Sequence, residues 1–137
     1  MQNNQNIIAY ENLVDVSLSK IASYERAVIF SSALTDIRII ITILESLKIP
    51  YKVIEMSMRN VHNREAYVDL CTLTGWYLLP QIFIDNEFVG GVDEFLQHHV
   101  IAPNIKRLAN PAMIAMTVTA LLKDNIAKQS INSGENQ

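Results

Sequence analysis

The sequence predicts an α/β fold, and three features carry that prediction. Short runs rich in β-branched and aromatic residues at 27–31, 51–55 and 81–84 have the length and composition of buried strands. Segments with apolar residues at helical spacing separate them. Proline and glycine mark the borders, at Pro50, Gly75, Pro80, Gly90 and Gly91.

In chain order, residues 1–6 are polar and expected to fray. Ile7, Ile8, Leu13, Val14, Val16, Leu18 and Ile21 form roughly one helical stripe, which predicts a helix over 7–24. Ala27 to Ser31 is the first strand. Residues 38–47 conflict internally, because Ile39, Ile40, Ile41 and Ile43 favour a strand by propensity alone. Thr35 and Asp36 suit a helix start, and Leu44, Glu45, Ser46 and Leu47 continue a helical pattern, so a helix is expected. Tyr51 to Glu55 is the second strand. A helix over 63–74 uses Ala66, Leu70 and Leu73 and stops at Gly75. Gln81–Ile84 and Phe88–Val89, joined by Asp85, Asn86 and Glu87, form a hairpin. A helix follows from Val92 to about His99, with two more starting near Pro103 and Pro111. The expected organisation is an added helix in 1–26, a core domain in 27–109 and a further helix with a polar tail in 110–137.

At 137 residues, half of them hydrophobic and 18% charged, the chain can bury a core and is not broadly disordered. A net charge of -3 and a pI near 5.5 argue against nucleic acid as a partner. No apolar run approaches the roughly 20 residues that span a bilayer. The longest, 112–122, includes Thr117 and Thr119. The N-terminus lacks a basic cluster followed by an apolar run, so no secretory signal is expected. Cys71 is the only cysteine and cannot form an internal disulfide, which predicts a reducing, cytoplasmic setting.

The order β-α-β-α-β-β-α, with a proline before the third strand, resembles the thioredoxin-like fold. Three stretches narrow the resemblance to the glutaredoxin family: Val28-Ile29-Phe30-Ser31, Pro50-Tyr51-Lys52-Val53-Ile54-Glu55, and the run from Thr74-Gly75-Trp76 through Pro80-Gln81-Ile82-Phe83-Ile84 to Gly90-Gly91-Val92-Asp93. The last is most similar to the monothiol branch. The resemblance implies a four-stranded mixed sheet flanked by helices, with the end segments added to it.

It also implies a site. The proline matching Pro80 is cis in the family, and the backbone at Leu79 would pair with the cysteinyl part of glutathione. Gly91, Val92 and Asp93 match the segment that holds the γ-glutamyl end, where glycine lets backbone approach a ligand and helix-start amides favour a carboxylate. Leu78 replaces the threonine usual before this proline, and Ser32 replaces a lysine that grips a glutathione carboxylate. The family's redox cysteine falls at Leu34 or Thr35, and neither is a thiol. Thr35 and Asp36 are expected to satisfy the helix amides that would otherwise stabilise a thiolate. Without the thiolate, disulfide exchange loses its nucleophile and an iron–sulfur cluster loses a ligand. Glutathione remains the candidate small ligand.

Other residues offer less. Cys71 is expected to pack inward as a small hydrophobe. His98 and His99, adjacent on a helix, would point about 100° apart and make a poor chelate; no metal is expected. Trp76 is expected to anchor the turn before Pro80. The Ile-rich stretch 37–44 and the apolar segment 112–122 are each wider than one stripe, which suggests internal packing, a homodimer or another partner. The leading expectation is a non-catalytic binding or regulatory module with residual glutathione or peptide binding. The alternatives are a glutathione-dependent oxidoreductase using Cys71 or a partner thiol, and a structural dimer subunit.

Overall fold

The computed structural model describes residues 4–13 and 15–105. Its elements are β1 (Ile7–Ala9), α1 (Leu18–Ile21), β2 (Ala27–Ser31), α2 (Arg38–Ser46), β3 (Tyr51–Glu55), α3 (Val61–Thr74), β4 (Gln81–Ile84), β5 (Glu87–Gly90), α4 (Val92–Gln97) and α5 (Ala102–Ile105). The strands form one sheet in the order β1-β3-β2-β4-β5. β1, β3 and β2 run parallel, and β4 and β5 are antiparallel additions beside β2. The fold is thioredoxin-like.

The sheet has five strands where four were expected, and the fifth comes from the N-terminal segment. The helix expected over 7–24 does not form. Ile7 pairs with Val53 and Ala9 with Glu55, a 3-10 turn follows at Tyr10–Asn12, and among the described residues of this stretch only the four of α1 are α-helical. The edge of β3 offers Ile7 and Ile8 backbone partners that local periodicity cannot anticipate. The expected C-terminal helix at 112–122 lies outside the described residues.

Both faces of the sheet are covered, and the central strands show why. In β2, Ala27 and Ile29 face one core while Val28 and Phe30 face the other. The same alternation places Val53, Ile82 and Ile84 in the first core and Ile54 and Phe83 in the second. The first core is closed by Ile39, Ile40, Ile43 and Leu44 of α2 together with Phe95, Leu96 and Ile101. The second is closed by Ile21, Ala66 and Leu70. Strands buried on both faces read as continuous apolar runs, which is how the sequence shows them. The helical reading of 38–47 prevails over β propensity because four of its aliphatic residues share one buried face.

The helix ends are closed by local chemistry. Asn60 caps α3 through its side chain, which accepts the Asn63 N–H at 3.2 Å, and Gly75 ends that helix at φ +73°. After α2, the Lys48 and Ile49 N–H groups donate to the Glu45 and Leu44 carbonyls in a left-handed close. The hairpin loop is two residues, shorter than expected: Asp85 (φ 51°) and Asn86 (φ 65°) both take positive φ, the geometry that matches strand twist. No helix among the described residues is long and apolar enough to cross a membrane.

Candidate functional site

Strand pairing brings three loops to one end of the sheet. Phe30 pairs with Gln81, so the loop leaving β2 lies beside the loop that enters β4. Ile82 pairs with Gly90, so the end of β5 adjoins the same place. The residues singled out in sequence thus divide into the 31–37 loop, the 75–80 loop and the 90–93 turn.

The first loop is braced by its own polar side chains. Ser32 Oγ and Thr35 Oγ1 are 2.8 Å apart, and the Thr35 N–H donates to the Ser32 carbonyl. Asp36 Oδ1 accepts the Arg38 N–H and Nε–H, while Oδ2 accepts from Nη2 at 2.7 Å. Asp36 raises the Arg38 pKa, first through this hydrogen bond and then through charge. Only part of the expected capping therefore holds. Asp36 covers an amide at the start of α2, but the Thr35 hydroxyl turns to Ser32, and Ile37 at the cap position makes no side-chain bond. Leu34 is 99% exposed at the loop tip.

The second loop is clamped from behind. Gln81 is fully buried; its Oε1 accepts from Thr74 Oγ1 at 2.8 Å and its Nε2 donates to the Trp76 carbonyl at 2.7 Å. Pairing both ends offsets the cost of burying this amide, and the side chain thereby ties the end of α3 to the turn before β4. Tyr67 adds a second tie through its hydroxyl, which donates to the Tyr77 carbonyl. Burial, followed by its contact with Cys71, pushes the Tyr67 phenol up. The Leu79–Pro80 bond is cis. Trp76 packs edge-on against Phe88 with ring centroids 6.0 Å apart. Tyr77 and Leu78 are 72% and 58% exposed. Sequence reasoning singled out neither Gln81 nor Tyr67. The available signal was an amide heading the otherwise apolar run Gln81–Ile84.

The third element closes against the second. A β-carbon on Gly91 would lie 3.8 Å from the Pro80 carbonyl oxygen and 3.6 Å from Trp76 Cζ2, so Gly91 and the proline turn are neighbours. The Gly91 N–H, which the resemblance offered to a ligand carboxylate, donates instead to Glu94 Oε1 at 3.1 Å. Gly90 has φ +128°, and a β-carbon there would come within 2.8 Å of Glu94 Cγ. Asp93 Oδ1 accepts from Gln97 Nε2 at 2.7 Å, and Val92 and Asp93 are both half-buried. Leu79, Pro80, Gly91, Val92 and Asp93 therefore belong to one end of the fold, together with Leu34 and Thr35.

Cys71 lies behind this surface. It is 4% exposed, and its sulfur is 3.8 Å from Gln81 Nε2, one residue from Pro80. His98 and His99 do not share a helix as expected, because α4 ends at Gln97 and His98 is extended (φ -65°, ψ 142°). Their rings lie against each other, tilted by 34° with centroids 4.2 Å apart. Among the described residues no group of three or more His, Cys, Asp or Glu side chains is placed to hold a metal ion.

The glutaredoxin family model matches residues 39–89, a stretch that starts just past the 31–37 loop. No curated protein matches the chain. Solved structures do. The holo form of glutaredoxin C1 from Populus tremula x tremuloides has a TM-score of 0.53 at 24% identity, over 60% of this chain and 81% of that one. The buckwheat glutaredoxin–glutathione complex has a TM-score of 0.54 at 19% identity, over 65% and 84%. Oxidised glutaredoxin 2 from Chlamydomonas reinhardtii has a TM-score of 0.50 at 18% identity, over 78% and 88%. The chain thus carries a glutaredoxin-like domain in a thioredoxin-like fold, with its candidate site at the end of the sheet that bears Leu34, Pro80 and Gly91.

Proposed function

We propose that this chain is a member of the glutaredoxin family, derived from its monothiol branch, that works as a non-catalytic binding module in the cytoplasm. The observation that carries this reading is the chemistry of the 31–37 loop. A fully exposed Leu34 and a hydrogen-bonded Thr35 hydroxyl stand where the family places its nucleophile, and the one thiol, Cys71, is buried. A hydroxyl at neutral pH attacks only with a base to activate it, and the Thr35 hydroxyl pairs with Ser32. The ligand is a peptide segment laid along Leu79 and Pro80. Glutathione binds weakly there, since the Gly91 amide is occupied by Glu94 and a serine replaces the gripping lysine. Leu34, Tyr77 and Leu78 supply exposed apolar area on the rim of the same site.

The test combines a glutathione-dependent disulfide reductase assay with calorimetric titration by reduced glutathione, on the natural chain and on Thr35→Cys. The natural chain should show no turnover and a dissociation constant in the millimolar range or weaker. The cysteine variant should gain measurable turnover, because it returns a thiol, the nucleophile of disulfide exchange, to the loop that precedes α2. Turnover by the natural chain that disappears in Cys71→Ser would overturn this reading in favour of an oxidoreductase. Micromolar binding of glutathione would replace a peptide with glutathione as the ligand.

A further inference from the structure

At the far side of α4, a short turn carries two adjacent imidazoles and closes on His98, through its ring and its backbone carbonyl. His98 Nδ1 accepts the Val100 N–H at 3.2 Å, and the His98 carbonyl accepts the Ile101 and Ala102 N–H groups at 2.9 and 2.8 Å. These bonds set Ile101, which is fully buried in the first core, and they start α5. An imidazole nitrogen can accept only while it carries no proton; in the imidazolium both nitrogens are donors. The His99 ring, 4.2 Å away, further opposes a charge on His98.

We propose that residues 98–102 form a proton-operated latch: neutral His98 closes the turn through the Val100 N–H, and the protonated ring releases that bond and turns toward the carboxylates of Asp85 and Glu87 on the β4–β5 hairpin. Opening the latch loosens α5 and its hold on Ile101. The charged groups acting on His98 are His99, Asp85 and Glu87, and Asp85 is itself paired with Arg26 at 3.1 Å. On α4, Asp93 bonds Gln97 and Glu94 bonds the Gly91 N–H. α5 has no titratable side chain, and Lys106 and Arg107 follow it in sequence. Burial, and then His99, hold the His98 pKa below its ordinary value against the pull of the two carboxylates. The unfolded chain therefore takes up this proton more readily than the closed turn. The latch is fully closed above about pH 6.5 and weakens as pH falls below it.

The test is NMR on the intact chain. His98 and His99 ring shifts are titrated, and amide exchange of Val100, Ile101 and Ala102, corrected for intrinsic rates, is compared at pH 7.5 and 5.5. Protection of these amides should drop by about fivefold at the lower pH, the scale of one lost hydrogen bond. His98→Asn, whose Oδ1 accepts the same N–H without titrating, should keep protection equal at both pH values. The latch is refuted if protection in the natural chain is unchanged between the two pH values, or if His98→Asn loses as much protection as the natural chain does.

Discussion

Asn63 presents the clearest conflict between a side chain and its surroundings. It lies in the first turn of α3 on the same face as Ala66 and Leu70, 1% exposed, and neither its Nδ2 nor its Oδ1 has a hydrogen-bond partner among the described residues. Leaving such a group buried and unpaired costs about 1–3 kcal/mol, whereas an apolar side chain of similar size gains by the same burial. The cap is unaffected by the exchange, because Asn60 accepts the backbone N–H of residue 63 and not its side chain. Asn63→Leu should therefore raise stability by about 1–3 kcal/mol, read from the urea midpoint at unchanged slope. A loss of stability would show that Asn63 has a partner in solution. Nothing in the sequence identified this residue, because an asparagine near a helix start ordinarily reads as a surface cap. Gln81 escaped notice for a related reason: its burial depends on Thr74 and Trp76 arriving behind it. Gly91 and Glu94 were closer to legible, since a spacing of three residues at a helix start is the capping-box interval.

At the scale of elements, legibility follows the range of the interactions that specify each one. Strands β2, β3 and β4 appear at the bounds read from sequence, because each is short, carries apolar residues for both cores and starts directly after Arg26, Pro50 or Pro80. β1 was read as helix because Ile7 and Ile8 join a stripe that continues to Ile21, while the pairing that makes them a strand lies in Tyr51–Glu55. The histidine pair was misplaced because the end of α4 is set by the extended backbone of His98, which no proline or glycine announces. The close of α2 is the element with the most room for improvement. Lys48 holds φ +57° in the position where helices ordinarily place glycine, and its N–H and that of Ile49 complete the terminal bonds. A left-handed conformation costs a residue with a β-carbon roughly 1–2 kcal/mol. Lys48 is exposed, so removing its side chain sacrifices little packing. Lys48→Gly should stabilise the protein by about 1 kcal/mol, visible as a higher thermal midpoint; an unchanged or lower midpoint would mean that the Lys48 side chain contributes more than its backbone strain costs.

For the molecule as a whole, the five-stranded sheet raises the question of what its N-terminal strand contributes. Both cores are built from β2, β3 and β4 with the helices above and below them, and β1 adds only a half-buried Ile8 to the second. Lys52 Nζ reaches the Gln5 carbonyl and Asn6 Oδ1, each at 3.4 Å, which are long contacts on the surface. Deleting residues 1–9 should therefore leave a folded protein that has lost about 2 kcal/mol or less, the value of one partly buried aliphatic side chain and a short ladder. The larger effect concerns solubility. β1 pairs with β3 on one side, and its removal turns the polar backbone groups of β3 toward solvent along a strand that includes Val53 and Ile54. An uncovered edge of this kind invites pairing with a second chain. Light scattering across a concentration series should show the shortened chain self-associating while the full chain does not change in mass, with the urea midpoint measured in parallel. Collapse of folding on deletion would instead make β1 part of the cooperative core. A shortened chain that stays dispersed would show that β3 is protected by its own twist and by Lys52, leaving β1 no role as an edge cover.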